Sequence, residues 1–136
     1  MNLVSNANNS IDLVKSTHEL LAPGIIRLVL KPNFNIEPSD LKEMHQAHLK
    51  LSNHSPFGIL LITTEFAMPS PESRALLASE EFIKTHKASA YITKSISSKI
   101  IGNFFIQFNK PITPTKLFNK EEFGLIWLKK EMEKWI

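Results

Sequence analysis

The chain has 136 residues and 15.5 kDa, which is room for one ordinary domain and not for two. With 43% hydrophobic and 21% charged residues it is too apolar for a disordered chain and too mixed for a fibrous one. It has no cysteine, which excludes disulfide scaffolds, thiolate zinc sites, iron–sulfur clusters and thiol catalysis. Sixteen Lys and Arg against thirteen Asp and Glu leave a net charge of +3. The lysines interleave with glutamates, as in Lys120-Glu121-Glu122, so the pattern reads as a wet surface and no nucleic acid partner is expected.

Residues 1–10 are polar and Asn-rich and read as a flexible tail, with the domain over 11–136. The start has no basic residue followed by an apolar stretch, so it is not a signal peptide. The longest apolar runs, such as Ile59-Leu60-Leu61-Ile62, fall far short of the ~20 residues that span a bilayer. The expectation is a cytoplasmic protein that is not an integral membrane protein.

The segment from Val14 to Leu20 alternates loosely. After the Pro23-Gly24 turn signal, Ile25-Ile26-Arg27-Leu28-Val29-Leu30 reads as a strand, which gives an N-terminal hairpin. Ser39 reads as the N-cap of a helix that ends near Asn53, with Leu41, Met44, His48 and Leu51 on one face. The apolar run Phe57–Thr63 has the length and content of a central strand covered on both sides. Ser70-Pro71-Glu72 reads as N-cap, proline at the first helical position and an acidic first turn, opening a helix through Phe82 and Ile83.

Ala88–Thr93 is the next buried strand. Ser95 or Ser97 caps a third helix that Asn109 and Pro111 stop. Thr115–Phe118 is a short last strand, and Asn119 through Glu122 has capping-box spacing before a final helix to about Trp135. The order β-β-α-β-α-β-α-β-α predicts a single α/β domain: a hairpin followed by βα units, on a mostly parallel mixed sheet.

Several of these segments carry a family resemblance. They are Glu80-Glu81-Phe82 through Ala90, Ser95-Ile96-Ser97-Ser98-Lys99-Ile100-Ile101-Gly102-Asn103-Phe104-Phe105, Asn109-Lys110-Pro111, Pro114–Phe118 and Trp127-Leu128. Together they resemble a family of small uncharacterised bacterial proteins with the STAS-like, SpoIIAA-like fold, related in fold to anti-sigma-factor antagonists and CRAL-TRIO domains. The likeness covers roughly residues 12–135. It implies a regulatory module, and in the antagonists a serine at the start of the helix after a central strand is a phosphorylation switch. Ser70 or Ser73 occupies roughly that place, although the short Asp-Ser signature of those antagonists is absent. A phosphate there would meet free backbone N–H groups and the positive end of a helix. A plain capping serine explains the same residues.

Ligands of open α/β sheets sit outside the carboxyl ends of the strands. Thr63, Thr93, Lys94, Ser95, Ser97, Ser98 and Lys99 gather there and form a candidate anion or ligand site, while capping and solvation account for them without a ligand. Ile100, Ile101, Phe104, Phe105 and Phe108 give the helix over 96–108 more apolar surface than a one-sided helix needs. Core packing, a homodimer interface and a lipid-like pocket are the three readings. His45 and His48, three apart on the first helix, read as partly buried structural histidines.

No Gly-x-Ser-x-Gly elbow, P-loop or His-Glu-x-x-His pattern occurs. No catalytic residue, no metal ligand and no cofactor is therefore expected. The sequence points to a non-enzymatic STAS-like regulatory module of the bacterial cytoplasm that binds a protein partner or a second copy of itself. The alternative is a carrier or sensor of a small apolar or anionic ligand, lipid-like or nucleotide-like.

Overall fold

Six strands form one sheet in the order in which they occur in the chain. They are β1 (Ser10–Asp12), β2 (Ser16–Ala22), β3 (Ile25–Leu30), β4 (Phe57–Ile62), β5 (His86–Ile92) and β6 (Thr115–Phe118). The computed structural model describes residues 9–32, 35–63, 70–93, 100 and 113–136. The first three strands are antiparallel, and β3 to β6 run parallel. Four α-helices accompany them among the described residues: α1 (Pro38–Leu51), α2 (Pro71–Leu77), α3 (Glu80–Ile83) and α4 (Glu121–Met132), with a 3-10 turn over Glu133–Trp135.

Side-chain alternation sorts the sheet into two unlike faces. On one face Ile25, Leu60, Ile62, Ala88, Ala90 and Ile92 pack against Leu128 and Met132 of α4. On the other Ile26, Leu28, Phe57 and Ile59 meet Leu51 of α1. The helix α4 lies close to the sheet: a Cβ on Gly58 would stand 2.8 Å from Leu128 Cδ1, and one on Gly124 would stand 2.8 Å from Ile92 Cδ1. Arg27 of β3 ties down the first turn of α4 with a two-pronged ion pair to Glu121, at 2.9 Å and 3.1 Å.

The expected mixed α/β domain with an antiparallel start and parallel βα units is present, and its details differ at four places. First, β1 falls inside and just after the segment read as a tail. It is a three-residue strand, too short for its alternation to be read, and it is held by pairing with β2 and by Ile11 against the α1-side core. Second, α1 begins at Pro38 rather than after Ser39. Glu37 is its N-cap, and the Glu37 N–H donates to the Asp40 carboxylate at 2.8 Å.

Third, the helix expected over 70–83 is broken. Ser79 has extended backbone and its hydroxyl donates to the Leu76 carbonyl at 2.7 Å, which closes α2 and lets α3 start afresh. Fourth, Lys120 rather than Asn119 is the N-cap of α4, with no side-chain cap bond. The third helix of the sequence reading, over 96–108, lies almost wholly outside the described residues.

A bulge lies at the start of β5. Phe57 pairs with His86 and Gly58 with Ala88, so Lys87 is the extra residue. Regular alternation would place His86 and Ala88 on the same face. The bulge instead brings His86 to the α1 face, where its ring stacks on Phe57 at 5.6 Å and 11°.

Candidate functional site

The titratable side chains concentrate on the α1 face. His18 comes from the inward series Ser16, His18 and Leu20 of β2, and His45 and His48 stand three apart on the buried stripe of α1. His86 comes from the bulge of β5. Ser16 Oγ lies 2.7 Å from His18 Nε2, and His18 Nδ1 lies 2.8 Å from His48 Nε2. His48 leans on Phe57, His45 stacks on Phe82 of α3 at 4.1 Å and 14°, and His86 Nε2 meets Ser89 Oγ at 2.7 Å.

His18 is 1% exposed and His48 6%. Desolvation holds all four rings towards the neutral form: His18 and His86 drop to about 4, and His45 and His48 also fall below the usual histidine range. Asp12 opposes this slightly at His18 and Glu81 at His45, while the other histidines push the same way at His48 and His86.

Ser16, His18 and His48 have the bonded order of a nucleophile, a base and an orienting group. Ser16 is fully buried, however, so a substrate has no path to its hydroxyl. The chain of bonds therefore acts within the protein and joins α1 to the sheet. No group of three or more ligating side chains among the described residues is arranged to hold a metal ion. His45 and His48, read from the sequence as partly buried, are both buried. The sequence reading missed His18, in a strand that alternates only loosely, and His86, whose face depends on the bulge.

At the carboxyl ends of the parallel strands, Thr63 and Thr93 follow the paired residues Ile62 and Ile92 and so stand side by side. Both are buried. The Thr93 N–H donates to the Phe118 carbonyl at 2.8 Å and its hydroxyl reaches the same oxygen at 3.5 Å, which ties β5 to β6. The other residues of the candidate anion site, Lys94, Ser95, Ser97, Ser98 and Lys99, lie outside the described residues. So do Ile101, Phe104, Phe105 and Phe108 of the apolar candidate; Ile100 is described and is 64% exposed.

Ser70 is the N-cap of α2, as read from the sequence: its oxygen accepts from the Ser73 N–H at 3.1 Å and its hydroxyl donates to Ser73 Oγ at 3.1 Å. Ser73, the other candidate for a switch, is fully buried in this structure. Ser70 keeps part of its surface.

An open cavity of about 610 Å³ lies at the other end of the sheet, near the amino ends of β3 and β4. Leu20, Leu21, Pro23, Leu51 and Trp135 are among its walls, and no charged side chain lines it. On the outside of α4, Phe123 is 49% and Ile126 66% exposed, one turn apart, while Gly124, Leu128 and Met132 are buried on the inner side. The Lys120 ammonium stands 5.9 Å from the Phe123 ring.

Residues 20–132 match a family described as a domain of unknown function, DUF7793. The match begins at Leu20, within β2, and takes in β3 to β6 and the four described helices; the chain belongs to that family. No curated protein and no solved structure matches it. No helix among the described residues is long and apolar enough to cross a membrane.

Proposed function

We propose that this domain is a STAS-like, non-enzymatic binding module of bacterial cytoplasmic regulation that docks a protein partner through the outer face of α4. The observation that carries the reading is the pair Phe123 and Ile126. Two large apolar side chains stand out from a helix whose inner side already anchors the domain, so their exposure does nothing for the fold. Charged residues of both signs, Lys120, Glu122, Lys129 and Lys130, surround the pair on the same helix and its cap, the polar rim that an apolar docking patch carries. The parallel pairing of β3 to β6 in chain order supports the STAS-like resemblance.

The experiment is calorimetric titration of a partner identified from the native cytoplasm against the wild type, Phe123→Ala and Ile126→Lys. Removing an anchor at the centre of an interface costs about 2 kcal/mol or more, so each variant is expected to weaken binding at least tenfold while remaining folded. Unchanged affinity in both variants would overturn the reading. Sedimentation equilibrium of the same proteins tests a second copy as the partner, in which case Ile126→Lys shifts a dimer to monomer.

The 610 Å³ cavity favours a second reading, a carrier of a small apolar ligand. Its walls include no charged side chain to hold an anion. Native mass spectrometry of freshly purified protein would show the bound mass, and ligand-free protein would count against the carrier.

A further inference from the structure

We propose that the buried histidine cluster is an acid-operated latch: protonation of its imidazoles releases α1 from the sheet while the layer under α4 stays packed. The chain Ser16–His18–His48 is complete when both rings are neutral, because each contact needs one proton and each neutral ring supplies one. A first extra proton can still be housed, with His18 donating to Ser16 at one nitrogen and to His48 at the other. A second extra proton puts two N–H groups head to head across 2.8 Å and two positive charges in a closed interior. His45 and His86 add to the same charge from the other side of Phe57.

Asp12 and Glu81 favour the protonated rings of His18 and His45, but burial outweighs them. Asp12 of β1 is paired with Lys31 at 3.1 Å, and Glu81 of α3 is exposed. Lys87 of β5 donates to the Ile83 carbonyl at 3.1 Å. Glu72 and Arg74 belong to α2, which packs on α1, and Glu80 begins α3. Lys15, between β1 and β2, holds Asp40 in the first turn of α1 at 2.7 Å. Lys15 also holds the Asp40 carboxyl below its usual range, so this tether outlasts the histidine contacts as the pH falls and leaves α1 attached at one end.

The sign follows from the lowered proton affinities. Unfolded or released histidines protonate near 6.5, and in the packed form His18 and His86 are held at about 4. Below about 6.5 the released form binds more protons, so docking of α1 is at full strength above that value and weakens as the pH falls towards 4. The penalty is confined to one layer. Two of the five buried residues of α1 are histidines, whereas the buried residues of α4 are Gly124, Leu128 and Met132.

Hydrogen exchange on the wild-type protein, read element by element and corrected for the intrinsic pH dependence, tests the latch. Between pH 7 and pH 5 the protection of α1 amides is expected to fall on the order of 100-fold or more, with β4, β5 and α4 falling far less. Equal loss in all elements, or no selective loss in α1, would overturn the proposal. In His48→Gln the pH 7 to pH 5 ratio for α1 is expected to shrink about tenfold, and an unchanged ratio counts equally against it. Should that variant not fold, the wild-type profile decides alone.

Discussion

Individual side chains in this protein reveal their role mainly through what they are bonded to. Ser16, His18 and Ser89 look like loose polar residues in strands until their partners are known, and all three are then seen to be spent on imidazole contacts. Thr85 shows the opposite. Its Oγ1 is the one buried side-chain oxygen or nitrogen among the described residues that has no partner. A buried hydroxyl without a partner costs roughly 1–3 kcal/mol of desolvation. Thr85→Val keeps the shape and removes that cost, so it is expected to stabilise the protein by about 1 kcal/mol in urea denaturation. The backbone bond from the Thr85 N–H to the Phe82 carbonyl is unaffected by the change.

At the scale of elements, the closest fit is between α4 and the sheet. A methyl group on Gly58 would press on Leu128 Cδ1 at 2.8 Å and on Leu128 Cγ and Met132 Cγ at 3.1 Å, and both side chains are fully buried. Gly58→Ala is therefore expected to cost about 1–3 kcal/mol. Gly124→Ala meets a similar obstacle in Ile92 and Leu60, yet as a helix position it regains about 1 kcal/mol of propensity, so its net cost should be the smaller. Urea midpoints of the two variants, measured together, check the order. The end of α1 shows another local constraint: Asn53 and His54 both have left-handed backbone, at φ 55 and φ 60, and the His54 N–H returns to the Leu49 carbonyl at 2.8 Å.

Elements with a strong local signal were legible in the sequence. The run Phe57–Ile62 is apolar whichever way it faces, and Ser70-Pro71 states a helix start in its own chemistry. β1 gave no such signal, because three residues are held in place by a neighbour rather than by their own pattern. The candidate site was legible only in half. His45 and His48 sit on a helical face that periodicity exposes, while His18 and His86 join them through tertiary pairing and a one-residue bulge.

For the whole molecule, the two faces of the sheet are the organising fact: the buried core of one is aliphatic, with Phe118 and Trp127 at its margin, and the other mixes aliphatic, aromatic and imidazole side chains. That difference also bears on the order of assembly. Aliphatic surfaces gain free energy as soon as they approach, whereas a ring-to-ring hydrogen bond rewards only its final geometry. The layer of Leu60, Ile92, Leu128 and Met132 is thus expected to gather in the folding transition state, and α1 to settle afterwards. In stopped-flow chevrons Leu128→Ala should then slow refolding, while His48→Gln should chiefly speed unfolding and leave refolding near the wild-type rate. A histidine variant that slowed refolding as much as the leucine variant would reverse that order. The last helix in the chain would in this way be among the first to find its place, and the first helix the last to arrive.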